Sequence, residues 1–467
     1  MCIRDRFGEP TNEIKETFES GINSAIKGGF THLMLMPSAS LVSDNKTSIE
    51  YVLSKTKNKI VSIHPIGSLT MNSNGSKMTE LYDLYKSGAI GFSDDKKSIQ
   101  NSFLMKEILL YVKTFNGLVM TYPNNFNLNN NGYINEGLNS LKYGLRGIPR
   151  ISEEIQVMRD IFLCEETNSK IHFSTISTKK SVDLIRDAKL KGLKITSDVS
   201  SYHLHLNVND MKFPSTNFKV FPPLRSKTDT LALINGLKDG TIDSISSNHN
   251  PQNIECKDCE FELANFGIIN LETSFSICNT FLSKYLNLET IIDKMSTTPR
   301  LISKINLNSI KEGNIADITL FDPDLNWNYN IENINSLSKN TPYINYNFKG
   351  KVHGIINNKK IKTTELLPED FNPSIPKIQT PNTIVKLRES LHQYKLRHKY
   401  MKEGDKIDTY YRTTIEMAKR NKYLDTNLYA GHIDQDESLH MAEMLKININ
   451  SCKAFSNFSF ISFLKSV

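Results

Sequence analysis

KIHFSTISTKKSVDLIRDAKLKGLKITSDVS, residues 170–200, reads as a strand, a helix and a second strand. β-Branched and apolar residues run through 170–177 and 194–200. Between them, KKSVDLIRDAKLKG carries the spaced apolar positions of an amphipathic helix and stops at a glycine. Two strands joined through a helix pair in parallel, so this stretch predicts one unit of a parallel sheet with helical cover. The same alternation extends outward. Candidate strands are THLMLMP (31–37), KIVSIHPIG (59–67), GAIGFSDD (88–95), GLVMTYP (117–123) and DSISSNHNP (243–251), with helical stretches such as MTELYDLYKSG and ISEEIQVMRDIFLCEE between them. Seven strands, with room for an eighth near 267–275, predict an α/β fold of the TIM-type barrel kind over residues 1–300. Polar residues gather at the carboxyl ends of these strands, the face where barrels place their chemistry: Pro37 and Ser38, Asp94 and Asp95, Tyr122, Thr175, Tyr202 and His203, Asn248 and His249.

Beyond the barrel the character changes. Residues 301–362 read as short strands joined by turns, a small β domain. Residues 363–383 have the Pro and Thr content of a linker, and residues 384–467 form an extension, helical and strongly charged over 384–446. The 467 residues carry 57 basic and 50 acidic side chains, and the net charge of +7 is small for this size. Without a stripe of arginines and aromatics it predicts no nucleic-acid surface. No signal peptide or membrane-spanning apolar run is evident, and the six cysteines have no framework spacing, so a cytoplasmic protein with free thiols is expected. Cys256 and Cys259 form one CxxC without the second pair of a zinc ribbon or the strand-to-helix setting of a redox motif, and are read as coincidental. GHIDQDESLH (431–440) is read as a solvated acidic helix start, because His432 and His440 lie more than two helical turns apart.

Taken in order, FGEPTNEIKETFESGINSAIKGGFTHLMLMPS (7–38), GAIGFSDD, GLRGIPRISEEIQVMRDI (144–161), HFSTISTKKSVDLIRDAK (172–189), FPPLR (221–225), DGTIDSISSNHNP (239–251) and FGIINLETSF (266–275) resemble the dihydroorotase family of amidohydrolases. EGNIADITLFDP, SKNTPY and GKVHG resemble strands of the β-sandwich that accompanies such barrels. The resemblance implies a zinc-dependent interconversion of N-carbamoyl-L-aspartate and dihydroorotate in pyrimidine synthesis. It also places Arg4, Arg6 and Gly8 where the family has its first two metal histidines and a substrate-binding arginine. MCIRDR begins inside what the resemblance makes an internal strand, so the first strand is expected to be incomplete.

Elsewhere the resemblance assigns Asp94 to a metal-bridging carboxylate, with a loop or capping aspartate as the alternative reading. Tyr122 and Thr175 stand where the family has metal-binding histidines, and Asn248 where it has the catalytic aspartate. Ser38, Arg225 and His249 fall at substrate-contacting positions, and Phe221 replaces an asparagine there. His172 is read as a buried strand histidine, and a hydrogen-bonded loop role is the alternative for His249. One carboxylate cannot supply the three or four ligands zinc needs, so no cofactor is predicted although the family's cofactor is zinc. The expectation is a catalytically impaired protein of pyrimidine biosynthesis, serving as a non-catalytic subunit beside a carbamoyltransferase-type partner or as a homo-oligomer. The alternatives are an active cyclic amidohydrolase with an altered site and a missing first strand, and a binding module acting through its C-terminal helices.

Overall fold

In the computed structural model the strand-forming runs assemble into one parallel sheet. Its strands are β1 (Cys2–Asp5), β2 (His32–Leu35), β3 (Ser62–Gly67), β4 (Gly91–Phe92) and β5 (Val119–Thr121). After an excursion carrying the two-residue strands β6 (Ile134–Asn135) and β7 (Gly147–Ile148), it continues with β8 (Lys170–Phe173), β9 (Lys194–Ser200) and β10 (Ser244–Ser246). Neighbours pair in the order β1-β2-β3-β4-β5-β8-β9-β10. Just past the last strand, His249 bridges Asp5 in the parallel sense, and its carbonyl accepts the Arg6 amide N–H at 3.1 Å, so the first strand meets the last and the barrel closes. Residues 2–37, 42–308, 310 and 314–364 are described. All elements below belong to one compact unit, Met1–Asn308 with Ile315–Thr364.

The helices are α1 (Phe18–Gly28), α2 (Lys46–Thr56), α3 (Leu81–Lys86), α4 (Ser102–Thr114), α5 (Phe126–Asn129), α6 (Leu138–Tyr143), α7 (Ile151–Thr167), α8 (Lys179–Leu190), α9 (Lys227–Lys238), α10 (Ser274–Leu282), α11 (Leu288–Met295) and α12 (Thr297–Ile302). α8 shows how the sequence sets them. The Thr178 hydroxyl accepts the Ser181 N–H at 3.2 Å, a cap worth about 1 kcal/mol, and Val182, Ile185 and Ala188 turn inward. Those three join Ile171, Phe173, Ile195 and Val199 in the core between helix layer and sheet, each large apolar side chain contributing roughly 1.5–3 kcal/mol of burial.

The eighth strand differs from the sequence expectation. The apolar pair Ile268–Ile269 looks like a strand centre, yet residues 267–273 are irregular and the place is taken by β1. The polar residues that follow explain this. The Asn270 carbonyl accepts both the Ser274 N–H at 3.0 Å and the Ser274 hydroxyl at 2.6 Å, and its side chain receives the Thr273 hydroxyl, which commits the segment to starting α10.

The strands read at 301–362 form an antiparallel sheet of β11 (Ile318–Tyr329), β12 (Tyr346–Asn357) and β13 (Lys360–Thr363). It joins the barrel through α10, where Ser276 donates to the Gly350 carbonyl and Asn279 to those of Pro323 and Lys349. At the end of α1, Gly29 has φ +81°, and a β-carbon there would sit 2.6 Å from Thr319. Glycine is the residue that suits both the turn and the close approach. The expected linker, 363–383, lies outside the described residues from residue 365 onward, as does the extension 384–467 with His432 and His440. Among the described residues no helix is long and apolar enough to cross a membrane.

His203 is buried, and His64 and His205 are half-buried. Desolvation pushes His64, His203 and His205 down to about 4 from 6.5, with neighbouring positive charge on Arg300, Arg225 and Lys284 respectively adding to it. Between those values the unfolded chain binds protons that the folded chain refuses, so the stability these three histidines contribute is fully present above about pH 6.5 and is lost as pH drops toward 4. The denaturant midpoint is therefore expected to decline across this window, and His64→Gln to flatten the decline. A midpoint constant from pH 6.5 to 4 contradicts the assignment.

Candidate functional site

The carboxyl ends of the barrel strands converge on Arg6, the residue immediately after β1. Its guanidinium grips Asp95 with two bonds, Nε to Oδ2 at 2.7 Å and Nη2 to Oδ1 at 2.5 Å, and donates from Nη1 to Asn248 Oδ1 at 2.7 Å. The Asn248 amide nitrogen passes on to the Tyr202 hydroxyl at 2.6 Å and the Phe221 carbonyl at 3.4 Å. Arg6, Asp95 and Asn248 are all buried. Burial disfavours the guanidinium charge, but the Asp95 carboxylate more than offsets it and holds Arg6 above its ordinary range.

The backbone around this centre is unusual. Asp95, Thr175 and Asn248, each just beyond a barrel strand, have φ of 51°, 53° and 47°. The left-handed region is uncommon for non-glycine residues and strained for a β-branched one, on the order of 1–3 kcal/mol, and such residues cluster at functional sites.

A second polar group is built around Asp198 on β9. Its Oδ2 lies 3.0 Å from His172 Nε2, and its Oδ1 accepts the Thr175 N–H at 3.1 Å and the Ser246 hydroxyl at 2.7 Å. His172 Nδ1 is 2.9 Å from the Thr196 hydroxyl. His172 is thus a buried strand residue, and Thr175 is held through its backbone.

The other residues singled out in the sequence fall as follows. Asp94 lines the cavity above the centre but spends its oxygens on Ser68 Oγ at 2.7 Å, the Thr70 N–H at 2.9 Å and the Thr70 hydroxyl. Burial holds its pKa above the usual carboxylate range. The carboxylate facing Arg6 and Asn248 is instead its neighbour Asp95. Tyr122 is buried and stacks on Phe221 with ring centroids 5.5 Å apart. His249 has no exposed surface. Its Nδ1 accepts the Asn270 N–H at 3.1 Å, which places the proton on Nε2, 3.4 Å from the buried Glu16 carboxylate. Arg225 is 3% exposed and donates to Ser177 Oγ, Asn135 Oδ1 and the Ile148 carbonyl, tying the β6–β7 excursion to the loop after β8. Ser38 lies outside the described residues.

Above the centre opens a cavity of about 630 Å³. Arg6, Asp94 and Asp95 lie in its lining, Phe7, Tyr133, Phe221 and Phe266 supply rings, and Asn250 and Gln252 supply amides. His249 and Arg225 are not part of that lining. Zinc asks for three or four Cys, His, Asp or Glu donors around one point. Among the described residues no three such side chains could hold a metal ion, and both Asp95 oxygens are bonded to a guanidinium. The side chains described at this centre do not fit zinc.

Asp95, Asp198 and Glu16 were not assigned a role from the sequence. A signal existed for Asp198, a carboxylate flanked by apolar and small residues within a barrel strand, which must be paired if buried. Glu16, in a helix-entry loop, offered none.

The closed eight-stranded barrel with polar residues at its carboxyl ends is an amidohydrolase-type α/β barrel. Solved structures agree: an L-hydantoinase (dihydropyrimidinase) from Arthrobacter aurescens superposes with a TM-score of 0.69 over 77% of this chain and 84% of its own, at 19% identity. A dihydropyrimidinase from Brevibacillus agri gives 0.65 over 77% and 83%, at 18% identity. At such identities the likeness concerns the fold. Residues 3–181 match the family described as Dihydro-orotase-like. A dihydroorotase from Endomicrobium trichonymphae is 42% identical over 352 residues, 74% of this chain and 83% of that protein. One from Ruminiclostridium cellulolyticum is 38% identical over 338 residues, 72% and 79% respectively. The chain belongs to the dihydroorotase family.

Proposed function

We propose that this chain is a dihydroorotase-family protein of pyrimidine biosynthesis that does not turn over dihydroorotate and acts as a non-catalytic subunit, beside a carbamoyltransferase-type partner or another copy of itself. The observation that carries this reading is the bidentate Arg6–Asp95 pair with Asn248 as its third partner. A guanidinium stays protonated, cannot ligate a metal and cannot accept a proton. Asn248 is a neutral amide whose oxygen and nitrogen are both engaged, so it has no basicity to offer a water molecule. The barrel's apolar core supports a scaffold role, because the residues that depart from the family's chemistry lie at the carboxyl ends of the strands and not within that core.

The test uses the full chain, purified after growth with added zinc. Metal content well below one ion per chain is expected, with no measurable interconversion of dihydroorotate and N-carbamoyl-L-aspartate. Asn248→Asp alone is expected to restore none, since a general base contributes about 10²- to 10⁴-fold only where the rest of the site functions. Stoichiometric zinc together with turnover overturns the reading in favour of an active cyclic amidohydrolase. The subunit role is read separately, by co-elution with the host's carbamoyltransferase or by the chain's own molar mass in solution. A monomer that binds neither contradicts it.

A further inference from the structure

The CxxC left aside in the sequence lies in the loop that walls the cavity. Cys256 ends a short 3₁₀ turn, Ile254–Cys256, and the chain turns at Lys257 and bends at Asp258 and Cys259. The Cys256 carbonyl is pinned by the Asn265 N–H at 2.9 Å, which closes residues 256–265 into a loop. Cys259 is exposed and Cys256 half-buried, whereas Cys164 and Cys278 are buried. Burial, followed by the nearby Asp160 carboxylate, pushes the Cys164 thiol up to about 11, and burial raises Cys278 further still. Of these four thiols, only the CxxC pair is open to reagents.

Two buried lysines fasten this loop. Lys257 Nζ donates to the carbonyls of Thr216 at 2.7 Å and Asn265 at 2.9 Å, and both CxxC sulfurs lie within electrostatic reach of it. Lys219 Nζ donates to the carbonyls of Phe261 at 2.6 Å and Glu262 at 2.9 Å. It lies 4.7 Å from the Tyr133 ring centroid and 5.0 Å from that of Phe266, two of the cavity's rings. A change of path between residues 256 and 259 therefore passes directly to the cavity wall.

We propose that Cys256 and Cys259 are a reversible dithiol–disulfide pair, oxidised by a low-molecular-weight disulfide, and that the bond tightens the cavity-wall loop. The two cysteines stand three residues apart with the chain turning at Lys257 and bending at Asp258 and Cys259, and the bond requires their Cα atoms to come within roughly 4.4–6.8 Å of each other. One thiolate attacks the small disulfide, forming a mixed disulfide and releasing one small thiol. The second thiolate displaces the other. The protein pair gives up two electrons and two protons, and the small disulfide leaves as two thiols. The inference does not depend on whether the barrel is catalytic.

The experiment equilibrates the full chain with oxidised glutathione, alkylates it and digests it with trypsin. Cleavage after Lys257 separates the two cysteines, so their bond appears as a linked pair of peptides. The expected result is that linked pair, loss of alkylation at both residues, reversal by dithiothreitol, and slower hydrogen exchange over Phe261–Phe266 in the oxidised form. Cys259→Ser is expected to retain glutathione on Cys256 instead. Separate glutathione adducts on Cys256 and Cys259 of the unsubstituted chain, or thiols that stay free, overturn the pairing. A linked pair with unchanged exchange overturns the tightening.

Discussion

Asp95→Ala is expected to destabilise the protein by about 3–5 kcal/mol, read as a fall in the urea-unfolding midpoint at unchanged slope. The magnitude follows from what remains, not from what is removed. Arg6 is 5% exposed, and its guanidinium donates twice to Asp95 and once to Asn248. Without the carboxylate, a buried guanidinium keeps its charge with one neutral amide as partner. The double replacement Arg6→Met with Asp95→Leu removes both charges from an enclosed site, and is expected to recover much of the loss, because isosteric apolar groups often equal a buried ion pair. If Asp95→Ala unfolds like the unsubstituted protein, the pair is not formed as described.

Asp198→Ala carries the second large effect, about 2–4 kcal/mol, as several buried groups lose their acceptor at once. His172 Nε2, the Thr175 N–H and the Ser246 hydroxyl are all directed at this carboxylate, and none has exposed surface to solvate it afterwards. The left-handed backbone at Thr175 loses the bond to its N–H at the same time. Asp198→Asn keeps one acceptor oxygen and is expected to cost less. Equal losses for the two replacements contradict the network.

Much of the barrel was legible because its signal is periodic. Seven strands lie within the predicted runs, since β-branched segments separated by amphipathic helices leave few other arrangements. The eighth was misplaced because Ile268–Ile269 is as apolar as a strand, while the groups that accept the Ile269 and Asn270 N–H bonds, the Asn340 carbonyl and His249 Nδ1, are distant in sequence. The site was legible by position but not by partner. That Asn248 sits at the carboxyl face follows from strand order alone. Which of two adjacent aspartates turns inward depends on a positive φ at Asp95 and on hydroxyls from Ser68 and Thr70, and no pattern in SDD reveals either. His249 and Arg225 have the chemistry of ligand contacts, yet Glu16 and the β6–β7 excursion claim them from outside the cavity.

The seam between Asp5 and His249 bears on how the chain reaches this form. Its two sides are separated by nearly the whole barrel in sequence, so joining them is among the entropically dearest contacts to make. During synthesis β1 can pair with β2 early, but its other edge has no mate until the ribosome has released residue 249. A nascent chain halted earlier carries an unfinished sheet with open hydrogen-bonding rims at both ends, the kind of surface that chaperones shield and that other nascent sheets can zip onto.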